Sequence, residues 1–245
     1  MIKNCLNFSQ PEALVITPVK DSIETTLRTI ESVSKADGNF NYFIYNDFSQ
    51  PETKNILEKY QEEYRYEIIH IEDLTDNPSP NYKLVLQLAQ KQAKAEMKHL
   101  IIVESDVRIK RNTIQDLTEM AGKLVKPGLI GAITIDGSGN YNFPYLFEKR
   151  KNNEVKKTEH SLSFCCTLIT YPFLMEYDFS NLSQRKDWFD VSISRKSRNL
   201  GYQNYLAKNL EVYHLPHSSR PWKNLKYTNP IRYYFDKYLH RRDRI

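Results

Sequence analysis

Over its first 135 residues the chain alternates short aliphatic runs with longer amphipathic segments. The aliphatic runs are rich in β-branched and aromatic residues, and the segments between them repeat their apolar positions every three or four residues. We therefore predict strands at 13–17, 42–45, 66–71, 100–103 and 129–135, with a helix after each of the first four. This alternation is typical of βαβ units. It predicts an α/β fold with a mostly parallel sheet flanked by helices.

Two of the predicted helices begin at residues that favour N-caps. Asp21 is followed three positions later by Glu24, and Ser49 is followed three positions later by Glu52. Both spacings match the capping box, in which the two side chains bond each other's backbone N–H groups. We therefore expect Asp21 and Ser49 to cap the helices that follow them.

The pattern changes after residue 135. A turn at 137–140 leads into two expected antiparallel strands, 141–147 and 162–170, which bracket a basic run at 149–157. A helix at 190–200, a strand at 211–214 and a basic aromatic helix at 232–244 complete the prediction. We divide the chain into halves 1–135 and 136–245 of one integrated domain, the second smaller and partly antiparallel.

Composition narrows the class of protein. The 245 residues are 40% hydrophobic, which supplies a core and excludes global disorder. The longest apolar runs are far shorter than the ~20 residues needed to span a bilayer, and the first residues lack the apolar stretch of a signal peptide. Three cysteines cannot all pair, and Cys165 and Cys166 are expected to be reduced core residues. We therefore expect a cytoplasmic protein.

Polar residues follow three of the predicted strands. They are Thr17, Pro18 and Val19 after the first strand, Asn46 and Asp47 after the second, and Glu104, Ser105 and Asp106 after the fourth. Ligands of open α/β sheets bind at the carboxyl ends of the strands, so these residues predict a site. The alternative is that Asp and Asn stand here because they favour turns and helix starts.

Glu104 and Asp106 are the most informative of these residues. Two carboxylates one residue apart can share a hard divalent cation that keeps positions for water and phosphate oxygens. The sequence contains neither a Walker A pattern nor G-x-G-x-x-G, so a phosphate ligand would need a metal or basic side chains. This favours a diphosphate bound through Mg²⁺ or Mn²⁺. The alternative is a surface turn.

Together these segments resemble family 2 glycosyltransferases of the GT-A fold, a Rossmann-like architecture. The resemblance rests on 13–19, 46–49, 103–106 and 188–190 leading to 200–202, and it spans residues 12–217. The segments 212–214 and 229–234 are similar to the rhamnosyltransferase-like branch that builds bacterial surface polysaccharides. The resemblance implies an inverting enzyme of hexosyl- or deoxyhexosyltransferase type. It would use a nucleotide-sugar donor and a glycan or lipid-linked acceptor, and no nucleic acid. The basic and aromatic composition of residues 232–242 suits peripheral contact with an anionic surface at the inner face of a membrane. The alternative is a C-terminal helix that packs its Tyr and Phe side chains onto the domain.

The resemblance also implies a role for each candidate residue. Thr17, Pro18, Val19, Asp47 and Ser105 would bind the nucleotide, Glu104 and Asp106 would take the place of the family's Asp-x-Asp motif, His214 would lie near the metal, and Asp190 would be the general base. Asp187 is the second candidate for the base. The chain departs from the family pattern in having Glu104 for the first Asp, Lys20 for a Tyr or Asn, and Phe48 for a Gly.

Two other functions fit the same residues. One is a nucleotidyltransferase, since related α/β folds serve both reactions. The other is a non-catalytic subunit that binds a polyanion or a protein partner through its basic surface, as the net charge of +5 permits. An acidic residue such as Asp190 in the second half favours glycosyl transfer.

Overall fold

Strands and helices alternate along the chain in this computed structural model, which describes residues 12–146, 148, 154–183, 188–215, 229, 231, 232, 234 and 235. The strands are β1 (Ala13–Val19), β2 (Phe40–Asn46), β3 (Glu67–His70), β4 (His99–Val103), β5 (Val107–Arg108), β6 (Pro127–Ile135), β7 (Val155–Thr158), β8 (Cys166–Ile169) and β9 (Gln203–His214). The helices are α1 (Ile23–Ser34), α2 (Pro51–Tyr64), α3 (Tyr82–Ala95), α4 (Thr113–Lys123), α5 (Tyr171–Glu176) and α6 (Phe189–Asn199). Short 3₁₀ turns occur at Ile71–Asp73 and Phe179–Asn181.

All of these strands belong to one sheet. Its order is β3-β2-β1-β4-β8-β6-β9-β5, and β7 pairs with β9 beside that path. Strands β1, β2, β3, β4, β6 and β9 run in one direction, and β5, β7 and β8 run in the other. The predicted α/β class with a mostly parallel sheet is confirmed. Strands from both halves of the chain share the sheet, because β8 lies between β4 and β6.

The sheet is buried on both faces. Ile16 and Ile102 pack with α3 and α5 on one face, whereas Val15 and Ile101 pack with α1 and α4 on the other. Alternate residues of a strand point to opposite faces, so a strand covered on both sides must be apolar throughout. This explains the unbroken apolar run of β4.

Both helix starts were predicted correctly, but the caps were not. Ser49 Oγ accepts a hydrogen bond from Asp21 N at 2.9 Å, and Asp21 Oδ1 accepts one from Gln50 N at 2.8 Å. Neither α1 nor α2 has a side-chain cap. The two loops lie at the same edge of the sheet, so the polar side chains that could cap their own helices bond each other's loop instead.

The strand predicted at 141–147 is absent from the described residues 141–146. These residues form turns, with a single bridge between Ile135 and Tyr141. Pro144 has no N–H to contribute to a ladder, which disfavours a strand here. Strand β8 is also shorter than the predicted 162–170, and the short strands β5 and β7 were not predicted.

Candidate active site

Strands β2, β1 and β4 lie side by side and parallel, so the residues that follow them meet at one edge of the sheet. Asp47 N donates to Val19 O at 2.8 Å, which joins the ends of β1 and β2 directly. Of the three residues at the end of β1, Pro18 is partly exposed, while Thr17 and Val19 are buried. The Thr17 hydroxyl lies 2.9 Å from the Tyr42 hydroxyl in the core. The Thr17 side chain thus bonds Tyr42 in the core, and the role of Thr17 in nucleotide binding stays a prediction.

Asp47 is 7% exposed, and both of its carboxylate oxygens bind the loop that leads into α3. Oδ2 accepts hydrogen bonds from Ser79 Oγ at 2.7 Å and Asn81 N at 2.8 Å, and Oδ1 accepts one from Asn81 Nδ2 at 2.8 Å. Charge-assisted hydrogen bonds of this kind are the stronger ones in proteins. Asp47 therefore anchors the loop at 74–81, and its contact with a base or ribose stays a prediction.

A tight turn follows β4 and carries the paired carboxylates. Val107 N donates to Glu104 O at 3.0 Å and closes the turn, in which Ser105 is half-buried and Asp106 is 4% exposed. The chain then enters β5, where Val107 pairs with His214 of β9, and Leu215 N donates to Asp106 O at 2.7 Å. This two-residue strand, which the sequence did not predict, is what brings Asp106 beside His214.

His214 and Asp106 form a buried pair. His214 Nε2 lies 3.2 Å from Asp106 Oδ2, and His214 Nδ1 lies 2.8 Å from the carbonyl oxygen of Phe143, to which it donates. Burial opposes a charge on the imidazole, but the hydrogen bond and the charge of Asp106 prevail and raise the pKa of His214 above its usual 6.5. Asn142 Nδ2 donates to His214 O at 3.1 Å and holds this end of β9. Sequence patterns gave no signal for Asn142 or Phe143.

Asp190 lies in the first turn of α6, where its Oδ1 accepts a hydrogen bond from Val191 N at 2.8 Å. Cys165 is 2% exposed, and the pKa of its thiol reflects the charged groups near it. Burial raises the pKa of the Cys165 thiol well above 9.0, and the carboxylates of Glu104, Asp106 and Asp190 raise it further. Cys165 Sγ lies 3.8 Å from Glu104 Oε2. Carboxylates of the turn after β4 and of α6 therefore act electrostatically on the same buried thiol.

The start of α6 also packs against the start of α3. Phe189 stacks on Tyr82, the first residue of α3, with ring centroids 6.1 Å apart. Ser194 Oγ accepts from Leu162 N at 3.0 Å and fixes the helix against the segment that leads to Cys165. These contacts hold Asp190 in register with the carboxylates that follow β4.

The residues at this edge fit a divalent cation that also binds a ligand. Within the described part of the chain, no group of three or more His, Cys, Asp and Glu side chains is arranged as a complete metal site. Mg²⁺ and similar ions commonly take one or two protein ligands and complete their shell with water and substrate phosphates. The hydrogen bond from His214 Nδ1 to Phe143 O turns Nε2 toward Asp106, as in histidines that bind metals through the other ring nitrogen. Asp106 and His214 are therefore suitable ligands, and Glu104 lies nearby.

Some predicted residues lie outside the described part of the chain. They are Asp187, the second candidate for the base, and most of the predicted helix at 232–244.

A family comparison agrees with this geometry. The sequence model described as glycosyl transferase family 2 matches residues 14–177, two-thirds of the chain. The chain belongs to glycosyl transferase family 2. The match includes Asp47 and the turn from Glu104 to Asp106, and it ends before Asp190 and His214. His214 is joined to the matched region by its contact with Asp106.

Solved structures share the fold of this family 2 chain. The crystal structure of S. aureus TarS 1-349 has a TM-score of 0.63 and 16% identity, and the alignment covers 83% of this chain and 60% of that one. GalNAc-T7 with UDP, GalNAc and Mn²⁺ has a TM-score of 0.65 and 14% identity, covering 87% of this chain and 45% of that one. A second S. aureus TarS structure has a TM-score of 0.60 and 15% identity, covering 88% and 38%. The chain thus spans well under two-thirds of these proteins.

No curated protein matches the sequence of this family 2 member. Among the described helices, none has the length and apolar character required to cross a membrane.

Proposed function

We propose that the protein is an inverting glycosyltransferase that moves a sugar from a nucleoside-diphosphate sugar to a glycan or lipid-linked acceptor. The observation that carries this proposal is the pairing of Asp106 with His214 at the turn that also holds Glu104, 3.8 Å from the thiol of Cys165. Asp190 of α6 acts electrostatically on the same thiol. Glycosyl transfer to a hydroxyl needs two separate functions at its site. One neutralises the leaving diphosphate and the other accepts the acceptor's proton.

Asp106 and His214 would hold Mg²⁺ or Mn²⁺, with Glu104 as a further carboxylate. When bound, the cation would supply electrostatic stabilisation of the charge that develops on the leaving diphosphate. The protein's own contribution is the orientation of the two ligands. The turn after β4 and the pairing of β5 with β9 place Asp106 and His214 3.2 Å apart before any ligand arrives.

The nucleotide would lie across the ends of β1, β2 and β4. Pro18 and Ser105 are partly exposed there, which suits contact with the nucleotide, and we assign the backbone from Thr17 to Val19 to the same site. We assign Asp47 an indirect part in this binding, since it holds the loop at 74–81 in place through Ser79 and Asn81. The half at 1–135 thus supplies most of the donor site.

Asp190 would act as the general base. It takes the proton from the acceptor hydroxyl as that oxygen attacks the anomeric carbon from the face opposite the diphosphate, which inverts the configuration at that carbon. General-base assistance of this kind contributes roughly 10²- to 10⁴-fold in rate. The half at 136–245 would then bind the acceptor. We place the reaction in the synthesis of a surface polysaccharide, with a hexose or deoxyhexose as the transferred sugar.

Calorimetric titration tests the donor site. UDP, GDP and dTDP are titrated with and without Mn²⁺ into the wild type, Asp106→Asn and a matched control, Asp116→Asn, whose carboxylate bonds Asn112 on α4. We expect one nucleotide to bind in a metal-dependent manner, the Asp106 variant to lose that binding and the control to keep it. A folded wild type that binds none of the three nucleotides would overturn the donor site and favour a non-catalytic subunit.

A second experiment tests the base. With the nucleotide known, Asp190→Asn should keep nucleotide binding and lose ~10²-fold or more in transfer. Asp187→Asn should change the rate little. If Asp187→Asn is the inactive variant, the assignment of the base moves to Asp187. Product analysis distinguishes glycosyl transfer, which releases a nucleoside diphosphate, from nucleotidyl transfer, which releases pyrophosphate.

A further inference from the structure

Thr134 is a polar residue in the buried end of β6. It stands between Ile133 and Ile135, and all three residues are buried, with Thr134 0% exposed. A buried hydroxyl nearly always has a hydrogen-bond partner in the protein, because it has lost its contacts with water. The partners of this hydroxyl therefore show which part of the molecule Thr134 holds in place.

The Thr134 hydroxyl binds the loop that follows β6. Thr134 Oγ1 donates to the carbonyl oxygen of Phe143 at 3.0 Å and to that of Asn142 at 3.2 Å, so the two carbonyls share one proton. The backbone adds a further bond, since Asn142 N donates to Thr134 O at 3.1 Å. One buried residue of β6 thus fixes residues 142 and 143 through both its side chain and its backbone.

The same carbonyl oxygen of Phe143 holds the ring of His214. His214 Nδ1 donates to Phe143 O at 2.8 Å, and His214 Nε2 lies 3.2 Å from Asp106 Oδ2. A carbonyl oxygen has two lone pairs, so it can accept from Thr134 and from His214 together. A continuous series of contacts therefore leads from the Thr134 hydroxyl through the Phe143 carbonyl and the His214 ring to the Asp106 carboxylate.

We infer that Thr134 is a positioning residue for the cation site. Its hydroxyl fixes the carbonyl that holds Nδ1 of His214, and this leaves Nε2 as the ring nitrogen that faces the cation. Histidines that bind metals donate their other ring N–H to such an acceptor, and loss of the acceptor typically weakens metal binding roughly 10- to 100-fold. Thr134 acts through Phe143 rather than by contact with the cation. The inference rests on the proposed function, because it concerns the cation of the donor site.

A buried threonine can also serve stability alone, and Thr170 provides the matched comparison. Thr170 is 2% exposed, and its Oγ1 donates to the carbonyl oxygen of Pro127 at 2.7 Å. Pro127 is the first residue of β6, whereas Thr134 is next to the last. Thr170→Val therefore removes a similar buried hydrogen bond at the opposite end of the same strand.

Two measurements on the full chain test the inference. The first is calorimetric titration with Mn²⁺ of the wild type, Thr134→Val, Thr134→Ser and Thr170→Val. The second is the rate at which the Nδ1 proton of His214 exchanges with water, followed in the proton–nitrogen NMR spectrum of the metal-free protein. The signal of His214 is identified by its absence in His214→Gln. Urea unfolding shows which variants keep the fold, and Thr134→Ala replaces Thr134→Val if the valine variant does not fold.

We expect Thr134→Val to bind Mn²⁺ about 5- to 10-fold more weakly than the wild type, because the Phe143 carbonyl loses one of its two donors. The Nδ1 proton of His214 should exchange about tenfold faster or more in this variant, since the ring is then held less firmly. Thr134→Ser keeps the hydroxyl and should restore both values toward those of the wild type. Thr170→Val should lower stability and leave both values unchanged.

Equal Mn²⁺ affinity and equal proton exchange in Thr134→Val and Thr170→Val would overturn the inference and make Thr134 a residue of the core alone. A Thr134→Ser variant that behaves like Thr134→Val would overturn it as well, because the hydroxyl would then not be the cause. Failure of the proposed function gives a different result, in which the wild type binds no Mn²⁺ while Thr134→Val still exchanges the ring proton faster than the control. That result would overturn the cation site and leave only the orientation of His214 by Thr134.

Discussion

Gly128 in β6 lies directly against helix α6, the helix of Asp190. A Cβ at this position would lie 2.0 Å from Ser197 Oγ, 2.9 Å from Tyr202 Cβ and 3.1 Å from Ser197 Cβ. Carbon atoms in contact are normally about 3.5–4.0 Å apart. Gly128→Ala therefore forces a rearrangement of α6 against β6.

The loss of stability depends on which atoms can move to relieve these contacts. Rotation of the Ser197 side chain relieves the shortest contact, but it breaks the 2.8 Å hydrogen bond from Ser197 Oγ to Asn204 Oδ1, which is worth about 1 kcal/mol. The other two contacts involve Cβ atoms, which move only with the backbone. Overpacking of this kind costs about 1–3 kcal/mol. We expect Gly128→Ala to lower the free energy of unfolding by roughly 2–4 kcal/mol in total.

Urea unfolding followed by circular dichroism measures this change. Gly122→Ala is the control, because nothing lies within 4 Å of a Cβ at Gly122 on α4. That control should be unchanged or more stable by up to about 1 kcal/mol, as expected for Gly to Ala in a helix. Gly128→Ala/Ser197→Ala should recover part of the loss, since it removes the oxygen at 2.0 Å. If the free energy of unfolding of Gly128→Ala lies within about 0.5 kcal/mol of that of the wild type, α6 does not pack against β6 as closely as described.

Three further predictions concern other parts of the fold. Asp47→Ala should speed amide hydrogen exchange in the loop at 79–81 by about tenfold or more, as measured by mass spectrometry, because it removes three hydrogen bonds to that loop. Burial lowers the pKa of His99 below 6.5, so the folded state binds a proton less readily than the unfolded state. The free energy of unfolding should therefore fall as the pH drops below 6.5. Urea unfolding of His99→Asn over the same pH range should show a smaller decrease in this free energy. Burial raises the pKa of Cys165 well above 9.0 and that of Cys166 to about 12, so mapping of alkylated peptides at pH 8 should find both unmodified until the protein is unfolded.

Local sequence patterns were sufficient for the order of elements in the first half of the chain. Helices α1 and α2 begin where the apolar periodicity begins, and β4 falls on the most apolar run. These features depend on the spacing of apolar residues within one element, which the sequence displays directly. The same patterns located Asp47, Glu104 and Asp106 at the ends of strands, because a strand's end is also a local property.

The caps and the second half were predicted less well, since their structure depends on residues far apart in the chain. Asp21 bonds the loop that contains Gln50 rather than its own helix. Strand β8 is antiparallel between β4 and β6, and β5 is only two residues long. Strands this short form because neighbouring strands pair with them, and they are too short to show an apolar periodicity in the sequence.

The candidate site likewise combines features set by the local sequence with features set by contacts between distant residues. The sequence by itself identified the residues proposed to carry the chemistry: Asp106 and Asp190 as carboxylates and His214 as an imidazole. Only the tertiary structure decided which of them meet. The pairing of β5 with β9 places His214 on Asp106, and the packing of α6 brings Asp190 near Cys165. These contacts join residues separated by as many as 108 positions, and a distance of that kind is set by the packing of whole elements rather than by any local preference.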